Sequence, residues 1–322
     1  MSVASPSNVV VRAPGKLFLT GAYAVLQGAP ALVVAVDRYA EARFPAGSAI
    51  TAEVAAVARR LSAAAPHVDT SALEERGRKL GLGSSAAAAV AAAGAIFALR
   101  GESIDDARSR ILEVALAAHA DVQPRGSGGD VAAATYGGAI RVRRHDGRLQ
   151  VEAVVPSPTL VIRAFAAKTS ARTSDALDRL DARRDDAATQ AALDAIAEAA
   201  HRGAASFALP DPSAFLAAAQ AHVDGLDRLG RALDLPLVPA EVAMARQLLQ
   251  EGAVTGKISS VVLLPSGAGG GDTVLWLGAR APTDHEAVAL ERLGLTPLRL
   301  TLSPRGVHSV LLSETALDAD RI

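Results

Sequence analysis

Three glycine-rich segments in this 322-residue chain have residue types suited to holding an anion. They are Ala13-Pro14-Gly15-Lys16, Gly81-Leu82-Gly83-Ser84-Ser85-Ala86-Ala87 and Ser266-Gly267-Ala268-Gly269-Gly270-Gly271-Asp272. The middle one opens directly onto Ala86 to Leu99, a run of strong helix formers, so its backbone N–H groups stand at the positive end of a helix dipole. Gly81 and Gly83 remove the Cβ atoms that would keep amides away from a phosphate, and Ser84 and Ser85 add hydroxyls suited to phosphate or Mg²⁺. A glycine-serine helix start by itself also describes an ordinary cap. Three such segments in one chain point to phosphate chemistry.

Phosphoryl transfer needs a phosphate cradle, a cation, a metal and a group that positions the acceptor. Lys16, directly after a Pro-Gly turn at the start of a strand, is a candidate cation, with a solvated surface lysine as the alternative. Asp130 ends Gly126-Ser127-Gly128-Gly129, where it reads either as the cap of a Val131 to Thr135 helix or as a carboxylate of the site. Lys168-Thr169-Ser170-Ala171-Arg172-Thr173 gathers cations and hydroxyls able to bind phosphate or carboxylate. Arg38, Arg125 and Arg141 read as solvated surface, and Trp276, the only tryptophan, as core.

Positioning these residues requires a particular series of elements. Val9 to Val11 and Ala31 to Phe44 have strand character, punctuated by Pro14-Gly15 and Gly28-Ala29-Pro30. Helices are expected over Val54 to Ala64, Ala86 to Leu99 and Ile104 to Asp121, then strands over Ala139 to Val142 and Leu149 to Val155. Pro156-Ser157-Pro158 reads as a domain boundary, giving domains 1–157 and 158–322. The second runs strand (Thr159 to Ala164), helices (Ser174 to Glu251), strand (Val261 to Leu264), strand (Thr273 to Leu277), helix (Thr283 to Leu293), strand (Leu298 to Leu302). That order is the split βαβ, ferredoxin-like arrangement.

Composition agrees with a large enzyme. Half the residues are apolar, enough to bury one large core or two moderate ones. A net charge of −1 supplies no basic field for nucleic acid. The absence of cysteine removes disulfides, thiol catalysis and cysteine-held metals. Met1 to Val11 lacks the features of a signal peptide, and the Ala86 to Leu99 run is too short to span a bilayer, so a cytoplasmic protein with no membrane partner is expected.

Taken together, the three segments resemble those of the GHMP kinases, the superfamily of galactokinase, homoserine kinase, mevalonate kinase and phosphomevalonate kinase. Ala13-Pro14-Gly15-Lys16-Leu17-Phe18-Leu19-Thr20-Gly21 and Lys79-Leu80-Gly81-Leu82-Gly83-Ser84-Ser85 are most similar to the bacterial-type phosphomevalonate kinases, as is the continuation of Asp130 through Gly138. The resemblance implies an α+β fold: an N-terminal ribosomal-protein-S5-like α/β domain that binds ATP, plus a C-terminal ferredoxin-like βαββαβ domain with extra helices. It implies ATP and Mg²⁺ as cofactors and phosphomevalonate as acceptor, with a mevalonate kinase, a mevalonate-phosphate decarboxylase or a catalytically weakened nucleotide-binding homologue as the alternatives, and with a homodimer one arrangement open to the chain. Lys16 and Asp130 are then catalytic. Gly81, Gly83, Ser84, Ser85 and Ala86 hold ATP phosphates, with Ser84 or Ser85 on the metal. Lys16, Ser127, Gly128, Lys168, Ser170, Arg172, Gly267, Ala268 and Gly269 face the acceptor.

His119 occupies the place where mevalonate kinases carry an acidic metal ligand and phosphomevalonate kinases a histidine, followed by Gln123 as here. A lone helical histidine otherwise reads as packing. Two positions depart from the family pattern: Ala22 replaces a glutamate, and Leu264 replaces a lysine for which Lys257 is a nearby substitute.

Overall fold

The structure is a computed structural model that describes residues 9–45, 50–75, 77–168, 173–251 and 261–311. Its contacts group the chain into two compact units, one of Met1–Lys16, Val34–Gly138 and Thr301–Ile322, the other of Leu17–Val33 and Ala139–Leu300. The chain passes from one unit to the other inside its two long strands, β1 (Val9–Thr20) and β2 (Ala31–Arg43). This grouping by contacts is not the linear division after Ser157 expected from the sequence.

In the first unit, the expected Pro14-Gly15 turn is absent, and β1 runs unbroken through both residues. Proline's fixed φ suits extended backbone, and its missing N–H costs no bond to β12 (His308–Leu311), which pairs antiparallel only with Val9 to Arg12. Gly15 serves close approach rather than a turn: a Cβ there would lie 2.7 Å from Leu73 Cδ2 and 3.0 Å from the Leu82 carbonyl oxygen. A short β3 (His67–Asp69) pairs with Glu41 to Arg43 of β2, and β4 (Glu74–Glu75) with β5 (Arg78–Lys79) makes a small hairpin leading into the middle glycine segment.

Four helices complete this unit: α1 (Ala52–Arg60), α2 (Ser84–Leu99), α3 (Ile104–Val122) and α4 (Gly129–Tyr136). Every residue of α2 from Ala86 to Phe97 is buried, which explains its composition. A helix covered on all sides has no need of a polar face, and alanine lets its neighbours approach closely. At Gly94 a Cβ would come within 2.9 Å of Val11 on β1 and 3.0 Å of Val307, so only glycine fits there without displacement.

The second unit holds a hairpin of β6 (Ala139–His145) and β7 (Arg148–Val154), joined at Asp146-Gly147, both with positive φ as a tight two-residue connection demands. Its main sheet has the order β11-β8-β10-β9, all antiparallel, from β8 (Val161–Ala166), β9 (Val261–Pro265), β10 (Thr273–Gly278) and β11 (Thr296–Leu298). Four helices, α5 (Thr173–Ala182), α6 (Ala187–Ser206), α7 (Ser213–Leu233) and α8 (Ala240–Glu251), separate β8 from β9, and α9 (Asp284–Arg292) separates β10 from β11. This is the expected βαββαβ order. The last strand lies earlier than expected, at Thr296 to Leu298, and Leu302 instead makes an isolated bridge with Val36. Trp276 is fully buried and donates its indole N–H to the Arg280 carbonyl at 2.9 Å.

Candidate active site

The middle glycine segment is pinned at both sides before it enters α2. Leu80 and Leu82 are fully buried, and Lys16 N–H donates to the Leu82 carbonyl at 2.9 Å, tying the loop to β1. Between and after these anchors, Gly81 (φ +67) and Gly83 (φ +79) take left-handed backbone. Gly83 is the N-cap of α2, and no side chain caps that helix. Half-buried Ser84 and Ser85 form its first turn, with buried Ala86 behind them.

Lys16 and Asp130 converge on this loop. The Lys16 ammonium donates to the Gly81 carbonyl at 2.7 Å. A Cβ on Gly83 would lie 3.1 Å from Lys16 Cγ and Cε and 3.7 Å from Asp130 Cβ. Residues distant in sequence thus gather at the open end of a 16-residue helix. The donor set, amides at a helix start with a lysine and two hydroxyls, fits a polyphosphate.

Asp130 is not the helix cap that one sequence reading allowed. Gly128, at φ +81, takes the N-cap of α4, and Asp130 lies inside its first turn, accepting Val131 N–H at 2.9 Å through Oδ1. Ser127 Oγ accepts Gly129 N–H at 3.3 Å. The other carboxylate oxygen, Oδ2, lies 3.8 Å from Nε2 of His119, whose side chain is only 5% exposed. The imidazole borders Gly126. Sequence reading weighed His119 as packing; the structure adds a place beside the carboxylate. The far end of α4 is held by Arg108, which donates to the Thr135 carbonyl at 2.6 Å.

A second cluster lies in the other unit. Ser266 to Asp272 links β9 to β10 and closes with Ser266 N–H donating to the Thr273 carbonyl at 2.9 Å. At its base Ala167 N–H donates to the Asp272 carbonyl at 2.9 Å, which puts Lys168 next to the loop. The Lys168 stem runs along Gly294, where a Cβ would come within 2.6 Å of Lys168 Cε. Ser170, Arg172 and Lys257 lie outside the described residues. Arg141 pairs with Glu152 and Arg38 donates to the Ala72 carbonyl, as expected of surface arginines. Leu264 is fully buried opposite Leu275, and Ala22 is also buried. Both departures from the family pattern are therefore core residues.

Residues 45–138, which hold the middle glycine segment and Asp130, match the GHMP kinases N terminal domain. A curated phosphomevalonate kinase of Streptomyces sp. (strain CL190) is 33% identical over 191 residues, covering 43% of this chain and 50% of that relative. The chain thus spans about half the length of the relative it matches. A Lin0012 protein from Listeria innocua superposes with a TM-score of 0.76 at 21% identity, over 94% of this chain and 99% of that one. Streptococcus pneumoniae phosphomevalonate kinase, in complex with phosphomevalonate and AMPPNP, gives 0.70 at 20% identity over 91% and 99%. At these identities the two structures show a shared fold.

Proposed function

We propose that the protein is a phosphomevalonate kinase, moving the γ-phosphoryl group of ATP onto the phosphate of (R)-5-phosphomevalonate to give (R)-5-diphosphomevalonate for isoprenoid synthesis. The observation that carries this reading is the convergence of Lys16, the Gly81 to Ser85 loop and Asp130 around Gly83, in a chain whose curated relative bears that name. We take residues 1–157 as the ATP-binding domain and 158–322 as the C-terminal domain of this kinase.

In this reading the α2 amides and the hydroxyls of Ser84 and Ser85 hold the triphosphate. Among the described residues, no group of three or more His, Asp or Glu side chains is placed to hold a metal. By the resemblance, Mg²⁺ would rest on Ser84 or Ser85 and the phosphates themselves, where it would neutralise charge that shifts during transfer. Lys16 places a fixed positive charge beside the transferring group. The acceptor phosphate has a second pKa of about 6, so at neutral pH its oxygen is already largely deprotonated. Asp130 therefore orients Lys16 and the acceptor and is not required as a strong base. Ser127 and Gly128 are further acceptor contacts beside Asp130; within the other unit, Lys168 and the Gly267 to Gly269 backbone are the groups suited to an anion.

The test measures ADP release with mevalonate, phosphomevalonate and diphosphomevalonate in turn, with CO₂ followed in parallel. Release that depends on phosphomevalonate and yields no CO₂ is the expected result; turnover of mevalonate alone refutes the reading, and CO₂ from diphosphomevalonate assigns a decarboxylase.

A further inference from the structure

The loop between β9 and β10 has little shape of its own. Gly267, Gly269, Gly270 and Gly271 all have positive φ, as does Asp272. Glycine-rich backbone loses the most conformational freedom on ordering, so a loop that must receive a ligand in one shape needs support from outside itself.

Beyond the Ala167 N–H bond to the Asp272 carbonyl at its base, further contacts among the described residues supply it. Phe18 N–H donates to Ser266 Oγ at 2.9 Å, at the loop's entrance. Gly270 N–H donates to the Leu237 carbonyl at 2.9 Å. The Tyr23 hydroxyl donates to the Ala268 carbonyl at 2.5 Å, reaching the one residue in the central stretch that is not glycine.

Tyr23 is built into this place with care for geometry. It adopts φ 62 and ψ −51, a conformation that a bulky residue holds only where its surroundings over-determine it. The turn behind it is tight: a Cβ on Gly21 would lie 2.4 Å from the Pro30 carbonyl oxygen. The side chain is 4% exposed, and burial pushes its phenol well above the ordinary tyrosine range, so the hydroxyl stays a donor. Tyr23 follows Lys16 closely on the same stretch of chain, and sequence reading passed over it because an isolated tyrosine carries no motif.

We propose that Tyr23 is the positioning residue of the Ser266 to Asp272 loop: its hydroxyl fixes the Ala268 carbonyl, and with it the adjoining amides, in the shape that receives the acceptor's anionic group. The identity of the acceptor rests on the function proposed above; the tether does not.

Tyr23→Phe in the full chain keeps the ring in its pocket and removes only the hydroxyl. Amide exchange of the 266–272 segment, read by mass spectrometry, should accelerate about three- to tenfold, the scale of one net hydrogen bond, with exchange elsewhere unchanged. The KM for phosphomevalonate should rise by a similar factor while the KM for ATP stays put. Unchanged loop exchange overturns the tether, as does faster exchange across the whole chain, which would make the hydroxyl a general support. With the loop loosened, an unchanged acceptor KM, or a parallel rise in both KM values, overturns the positioning role. If the wild-type protein does not turn over phosphomevalonate, the proposed function fails, and the exchange measurement still decides the tether.

Discussion

Replacing Gly83 by alanine separates two demands that the structure makes of one residue. The first is conformational: at φ +79 an L-residue pays about 1–2 kcal/mol relative to glycine. The second is spatial, because the new methyl group would stand 3.1 Å from both Cγ and Cε of Lys16. Relief requires the lysine to move by a few tenths of an ångström, away from its 2.7 Å bond to the Gly81 carbonyl. Since a misplacement of about 1 Å can cost about 10²-fold in rate, a shift of this size should lower kcat/KM about tenfold. Gly101 is the control. It has nearly the same backbone, φ +80, with nothing within 4 Å of where its Cβ would be. Denaturant unfolding of both variants should show a similar loss of about 1–2 kcal/mol, while only Gly83→Ala loses activity in an ADP-release assay. Full activity in Gly83→Ala, or an equal activity loss in Gly101→Ala, would refute the spatial argument.

Alanine at both Ser84 and Ser85 should reduce turnover about 10²–10³-fold with the fold intact by circular dichroism, and an unchanged rate would leave those serines as ordinary helix-start residues. Asp130→Asn should reduce turnover through misplaced Lys16 across the whole pH range, measured with phosphomevalonate saturating; progressive relief at high pH would instead indicate a lost base. His222, buried in α7 with Nδ1 unpartnered, has its pKa lowered by burial from 6.5 to about 4. Below 6.5 the unfolded chain takes up a proton that the folded chain refuses, so stability should fall as pH drops from 6.5 towards 4, by up to about 1.4 kcal/mol per pH unit. His222→Leu should flatten that slope in denaturant titrations, and an identical slope would contradict it. Glu286 is held at about 2, chiefly by Arg280 and further by Thr283, so its contribution is present above 4.5 and lost as pH falls towards 2; Glu286→Gln should remove that part of the acid limb.

The elements most legible in the sequence were those whose pattern is local. Alanine-rich α2, the Ile104 helix and the βαββαβ order all follow from residue runs that carry their own periodicity or length. What stayed hidden depends on partners far along the chain. β12 is a strand because β1 offers it an edge, and His308 to Leu311 shows little of that by itself. Pro14-Gly15 reads as a turn by residue type, yet the strand continues because the proline lies beyond the β12 ladder and the glycine admits Leu73 and Leu82.

The site follows the same rule at finer scale. A glycine in sequence announces that something needs room, without saying what. At Gly83 the occupants of that room are Lys16 and Asp130, which turns a motif into a constellation. At Gly15 the occupants are Leu73 and, from the middle glycine segment, Leu82, so one missing Cβ lets that segment lie on the strand that carries Lys16. Gly126 differs: a Cβ there would stand at ordinary contact distance, 3.4 Å from the Gln123 carbonyl oxygen and 3.6 Å from the His119 imidazole, which itself lies beside the Asp130 carboxylate. At Gly83 and Gly15 the missing Cβ is what lets the lysine, the loop and the strand approach one another. Substituting them should therefore damage activity more than their stability cost explains, which is the comparison that Gly83→Ala and Gly101→Ala make directly.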